Sequence, residues 1–236
     1  MSDYIAGLDL GQSQDYTALA ILQVIEHDAR SGAALPEPLY HLRHLERPPL
    51  GTSYPAIVAR VRSVLASAPL AGNTTLIADK TGVGRPVMDM LRASGLRASL
   101  IPVTITGGAT VGRDPDGGGG WHVPKRDLAS ALAVVMQSGR LKVVPGLPLG
   151  QTLIDELLNF KVKISASGHD SYAAGGMADW RDGAHDDLVL SVALAIWHAS
   201  RRDGGRAQLQ GLRQRAERRR ELIFAREAQA DVGRPA

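Results

Sequence analysis

The sequence predicts an α/β fold in which an antiparallel hairpin feeds a mixed sheet with helices on both faces. Three observations carry this: short apolar runs of β character open the chain, a helix with one clean apolar stripe follows, and strands then alternate with helices. The 236 residues suffice for one good core with an appendage. We expect a domain over residues 1–200 and a basic helical or flexible tail over 201–236.

Tyr4 to Leu10 is a short apolar run ending at Gly11, and Tyr16 to Ile25 is a second, separated from it by a polar turn. Together they read as a hairpin. Leu39 to Leu45 alternates as a third strand, which Pro48 and Pro49 end. Over Ser53 to Ala68, Ile57, Val58, Val61, Val64 and Leu65 recur at helical spacing. Thr74 to Ala78 reads as a buried strand stopping at Asp79, followed by Gly82, Gly84 and a helix starting near Pro86. Leu100 to Thr106 is another strand, and 107–120 is a glycine-rich loop without periodicity, expected to be flexible. Helices are expected over Lys125 to Ser138 and Leu149 to Phe160, then a hairpin-like stretch from Lys161 to Ala174, then a strongly apolar helix from His185 to about His198.

Composition excludes several function classes. Hydrophobic residues at 44% and charged residues at 22% are ordinary globular values, which argues against a disordered, collagen-like or coiled-coil chain. Aromatics reach only 4%, so a nucleic-acid binder built on stacking platforms is disfavoured and backbone contacts would supply most of any affinity. The absence of cysteine removes disulfides, thiolate zinc sites and cysteine nucleophiles together. The longest apolar run, Leu188 to Trp197, is broken by Ser191 and is shorter than the ~20 residues a bilayer requires. No basic region precedes the first apolar run, so no secretion signal is read, and a soluble, intracellular (cytoplasmic) protein is expected.

Residues 201–227 hold nine arginines against Asp203, Glu217, Glu221 and Glu227, a local balance of +5 inside a net charge of +3. A solvated helix with mixed i,i+4 pairs and a polyanion- or partner-docking arm both fit that stretch.

Acids sit where elements begin or end. Asp9 closes an apolar strand in Gly7-Leu8-Asp9-Leu10-Gly11, and Asp79 closes another in Leu76-Ile77-Ala78-Asp79. Carboxyl ends of strands are where open α/β sheets bind ligands. Asp186 and Asp187 open the most apolar helix, where helix capping and dipole compensation would explain one of them well. Capping does not explain the two strand-end acids, each costly to bury without a cation. A shared divalent ion does. Mg²⁺ or Mn²⁺ takes oxygen ligands, and a pair of such ions suits phosphodiester hydrolysis.

The segments Asp9-Leu10-Gly11 with Asp15-Tyr16-Thr17-Ala18-Leu19, Asp79-Lys80-Thr81-Gly82-Val83-Gly84-Arg85-Pro86, Val123-Pro124-Lys125-Arg126-Asp127-Leu128 and Gly183-Ala184-His185-Asp186-Asp187-Leu188-Val189 resemble the nuclease domain of tailed-phage large terminases. The resemblance covers residues 4 to about 198 in order, and its most specific element is the His-Asp-Asp opening of an apolar helix. It implies a ribonuclease H-like fold and a Mg²⁺- or Mn²⁺-dependent DNA endonuclease. Asp9 and Asp79 would be metal ligands, with Asp186 or Asp187 completing the catalytic set. It also implies double-stranded DNA, an ATPase motor domain or subunit, the portal and the small terminase as partners, and a bacterial host cytoplasm as the setting. The motor's phosphate loop is absent: Gly107 to Asp114 has the glycine spacing but places Arg113 and Asp114 where lysine and a hydroxyl are needed. The motor is therefore expected on a separate chain or on another part of a longer one.

Secondary candidates are Lys125 and Arg126, which open a helix after the loop and, with Arg113, are candidates for contacting DNA. Asp15 is a candidate fourth ligand or a turn acceptor, and His185 an assistant to catalysis or a neighbour of the cap. Lys80 is expected beside the acid cluster or a phosphate. His169 and Asp170 read as turn residues, and Trp121, Trp180 and Trp197 as packing residues. Two other enzymes share parts of the pattern. A Holliday-junction resolvase would have the same acids and prefer four-way junctions. A sugar-kinase or actin-like ATPase would share Asp9-Leu10-Gly11-Gln12 but needs a second phosphate loop that the chain lacks. A packaging adaptor with a degenerate site is disfavoured because every acid position is filled.

Overall fold

A computed structural model of the chain describes residues 4–11, 15–115, 118–166, 185–202 and 204, with backbone alone for 161–166. The elements are β1 (Tyr4–Asp9), β2 (Ala18–His27), β3 (Ala34–Glu46), α1 (Tyr54–Leu65), β4 (Thr74–Asp79), α2 (Gly84–Ala93), β5 (Ser99–Thr106), β6 (Gly112–Arg113), β7 (Trp121–Pro124), α3 (Lys125–Gln137), β8 (Leu141–Val143) and α4 (Gly150–Ala166). A last helix, α5, begins at residue 187 and runs to 202. The chain divides into two compact units, Met1–Trp197 and His198–Ala236, and the sheet and the acids belong to the first. The basic tail beyond 204, His169, Asp170 and Trp180 lie outside the described residues.

Eight strands form one mixed sheet in the order β6-β7-β5-β4-β1-β2-β3-β8. The expected hairpin is present as antiparallel β1 and β2, with β3 antiparallel to β2 and β4 and β5 stacked parallel beyond β1. This strand order is that of the ribonuclease H-like fold which the resemblance implies. Leu8 lies beside Leu19 and Ala78, and Leu19 beside Glu46. One residue further along, Asp9 pairs with Ala18, Asp79 ends β4 beside Val103, and Arg47 follows the last residue of β3.

Strand alternation divides the core between two faces. Ala6, Leu8, Leu19, Ile21, Leu76 and Ala78 pack on one face against the buried stripes of α1 (Ile57, Val58, Val61, Leu65) and α2 (Val87, Met88, Leu91). The alternate positions, Gly7 and Asp9 among them, face α5. Only glycine fits at position 7, because a Cβ there would lie 1.8 Å from the Ser191 carbonyl oxygen of α5. That crossing also sets the register of the site. Asp187 precedes Ser191 by one helical turn, about 6 Å, and Asp9 follows Gly7 by two strand residues, about 7 Å. The charge of Asp187 acts on Asp9, so both acids lie on the same side of the crossing.

Three expectations are corrected, and two short strands, β7 and β8, were not foreseen. Of the stretch expected to be hairpin-like from Lys161 to Ala174, residues 161–166 instead continue α4 and 167–174 lie outside the described residues. Its Lys-Val-Lys-Ile alternation imitates a strand, yet a helix anchored by buried Leu153, Leu157 and Phe160 propagates at one hydrogen bond per added residue. The 107–120 loop is not structureless: Gly112–Arg113 pairs with β7, and the Asp114 N–H donates to the Gly120 carbonyl. β7 and β8, of four and three residues, are too short to show a period. β3 begins at Ala34, five residues ahead of its apolar alternation, because its first half is largely solvent-facing. Among the described residues, no helix is long and apolar enough to cross a membrane.

Gly7→Ala is expected to destabilise the fold by at least ~1–3 kcal/mol, since the obstacle is helix backbone rather than a flexible side chain. Urea unfolding followed by circular dichroism measures this, and an unchanged midpoint would contradict the close crossing.

Candidate functional site

Asp9 is buried at the end of β1. Burial pushes its carboxyl well above the ordinary range, the charges of Asp79, Asp187 and Asp186 push the same way, and Lys125 opposes them. The structure thus brings together the four aspartates named from sequence, with Lys125 among them.

Asp79 is held by its own turn. The Thr81 hydroxyl and backbone N–H donate to Asp79 Oδ1 at 2.6 and 2.8 Å, while the hydroxyl oxygen accepts the Ile105 N–H at 2.7 Å. Gly82, at φ +79°, turns the chain back to allow this. Burial still lifts Asp79 to about 6 against the pull of these hydrogen bonds. Thr81 is a positioning residue that sequence reading quoted but gave no role.

The helix start is organised differently from expectation. The Asp186 carbonyl accepts the first α5 hydrogen bond, from Leu190 at 2.8 Å, so Asp186 is the N-cap residue and Asp187 the first helical one. Neither carboxylate is what caps the next amides. Glu156 of α4 does so: its Oε2 accepts the N–H groups of Leu188 and Val189 at 3.1 and 3.3 Å. Its Oε1 pairs with Arg47 Nη2, which also lies 3.6 Å from Asp187 Oδ2. The Asp186 carboxylate instead takes the Lys125 ammonium at 3.0 Å. Burial lifts Asp187 to about 6 despite Arg47 and raises Glu156 as well. Among the described residues, none donates a hydrogen bond to Asp187 Oδ2. Sequence reading missed Glu156 and Arg47, which lie in ordinary charged contexts far away along the chain.

The other candidates distribute around this group. His185 is exposed, 3.8 Å from Asp187 Oδ2 through Nδ1, and meets the Tyr16 ring edge-on at 4.9 Å. Arg47 lies 5.1 Å over that same ring. Lys80 does not join the acids but pairs with buried Asp114, tying the glycine-rich loop to the end of β4. Arg113 stacks 3.8 Å over Trp121, and Trp121 meets Trp197 edge-on, as packing residues. Arg126 is exposed and donates to the Ala109 carbonyl of the same loop. Asp15 is exposed and lines a cavity of about 220 Å³ with Gly11, Thr17, Thr52, Ser53 and Tyr54, and is not among the charges that raise Asp9.

Five carboxylates (Asp9, Asp79, Glu156, Asp186, Asp187) therefore surround two permanent cations, Lys125 and Arg47. An all-oxygen donor set with surplus negative charge and an orphaned buried Asp187 oxygen has the chemistry that hard divalent ions take. The ready-made pocket expected from sequence is not closed. Among the described residues, no three His, Asp or Glu side chains converge to hold one ion. Lys125 engages Asp186 and Arg47 faces Asp187.

No protein-family model matches the chain. By sequence it is similar to the terminase large subunits of Thermus phage G20c and Thermus virus P23-45, each 29% identical over 206 residues, which are 87% of this chain and 34% of each relative. It thus spans about a third of the length of these relatives. By structure it is similar to the large terminase nuclease from thermophilic phage G20c, with a TM-score of 0.51 and 23% identity, covering 81% of this chain and 80% of that one.

The raised Asp79 fixes a pH dependence. Between the ordinary 3.8 and about 6, the folded protein keeps a proton that the unfolded chain has released, so stability falls as pH rises across that window. Asp79→Asn in metal-free buffer at pH 7.5 is expected to unfold several degrees above wild type, with the margin narrowing towards pH 4. Calorimetric scans check this, and a lower midpoint at pH 7.5 would contradict it.

Proposed function

We propose that this chain, a terminase-type nuclease domain with the ribonuclease H-like fold, cuts duplex DNA by Mg²⁺- or Mn²⁺-dependent phosphodiester hydrolysis during phage genome packaging. The observation that carries the reading is the surplus of carboxylates gathered beside the strand ends, five, of which four are buried, against two fixed cations. Asp9, Asp79 and Asp187 are the residues that would hold the ions, with Asp186 as the further acid. Such ions, when bound, supply charge neutralisation at the phosphate and activation of the attacking water.

The chain's own groups do the rest. Thr81 fixes Asp79 Oδ1 with two hydrogen bonds and so sets how that carboxylate is turned. Lys125, at the first position of α3, restrains Asp186 and offers a positive charge to an approaching phosphate. His185 is exposed beside Asp187, where the acid group meets solvent. Arg113 and Arg126 flank the loop that leads into α3 and would contact the DNA backbone, which fixes register without reading sequence. An ATPase motor, the portal and the small terminase are the partners this role calls for.

Asp9→Asn and Asp79→Asn are each expected to reduce cleavage of linear duplex in Mn²⁺ by at least ~100-fold while the protein stays folded; EDTA should stop the wild type. Gel analysis of linear duplex and four-way junctions reads the outcome. Activity retained in either variant would reject the assignment, and a strong preference for junctions would favour a resolvase.

A further inference from the structure

Capping rules make the start of α5 unusual. An N-cap aspartate ordinarily folds its carboxylate over the second and third helical amides. Here those amides, of Leu188 and Val189, are taken by Glu156, which lies 32 and 33 residues earlier on α4. The second Glu156 oxygen is engaged by Arg47, at the edge of the sheet beyond β3, and the same guanidinium nitrogen faces Asp187. Arg47 Nε, also buried, donates no hydrogen bond among the described residues, so this pair is not optimised as a stabilising ion pair. Buried ion pairs are weak stabilising devices, and an aspartate cap would satisfy the helix more simply. What the arrangement does achieve is to relieve both Asp186 and Asp187 of the backbone.

We propose that Glu156 and Arg47 are positioning residues of the metal site: Glu156 caps α5 in place of its own aspartates, and Arg47 faces Asp187 Oδ2, which accepts no hydrogen bond among the described residues, and holds that carboxylate until a divalent ion takes it over. This rests on the nuclease reading. Arg47 keeps the Asp187 carboxylate in place before an ion arrives, and Glu156 anchors Arg47 and the first turn of the helix at once. Partners of this kind behind metal ligands are typically worth about 10–100-fold in metal affinity.

The experiment is titration calorimetry of Mn²⁺ into the whole chain, with folding of each variant checked by circular dichroism. Glu156→Ala and Arg47→Met are expected to bind Mn²⁺ about 10–100-fold more weakly while folded. Arg47→Lys, which keeps the charge, should recover part of the loss. If Glu156→Ala does not fold, Glu156→Gln carries the measurement, since it preserves volume and one acceptor oxygen but loses the charge that anchors Arg47. Folded Glu156 variants that bind Mn²⁺ as tightly as wild type would reduce the residue to a structural cap and overturn the inference alone. Wild-type protein that binds no Mn²⁺ would overturn the nuclease reading and the inference with it.

Discussion

Concentrated negative charge at one edge of the sheet is the constraint on which the rest of this structure depends. Asp9, Asp79 and Asp187 are all buried, and each is pushed toward its protonated form by desolvation. A fold does not hold such a group without stabilisation from elsewhere, because each buried acid costs free energy unless it is paired or hydrogen-bonded. The pairing that the described residues provide, Lys125 on Asp186 and Arg47 on Glu156 and Asp187, is two charges short even if exposed His185 contributes a third. The molecule keeps a local instability where its chemistry is expected.

Around that group the scaffold is arranged by backbone geometry more than by side-chain attraction. Gly7 lets α5 cross β1 at a distance no other residue permits, which places Asp187 beside the end of the strand carrying Asp9. The parallel register of β1 and β4 aligns Asp79 with Asp9. Pro124 ends β7 and opens α3, so Lys125 enters at the same edge. Packing energy is spent on both faces of the sheet, and the edge inherits its geometry from them.

The fold was legible because its signals are local. The hairpin, the stripe of α1, the strand ending at Asp79 and the apolar α5 all show a period or a turn residue within a few positions of themselves. The four aspartates were legible because an acid ending an apolar run is rare without a partner. Glu156 and Arg47 were not. Each stands in a polar context, and the capping role of Glu156 exists only once α4 meets α5. The Lys80 partner was hidden for the same reason, since Asp114 sits in a glycine-rich segment that gives no sign of closing onto β4. The proposed preference for Asp187 over Asp186 rests on the lysine that engages one and the buried oxygen of the other that accepts no hydrogen bond, which no spacing reveals.

Anomalous scattering from crystals grown with Mn²⁺ shows whether these acids hold a metal. A manganese peak is expected within coordination distance of Asp9, Asp79 and Asp187, with Asp187 Oδ2 drawn from Arg47 to the ion. Well-ordered crystals in millimolar Mn²⁺ with no peak among these aspartates would rule the metal site out.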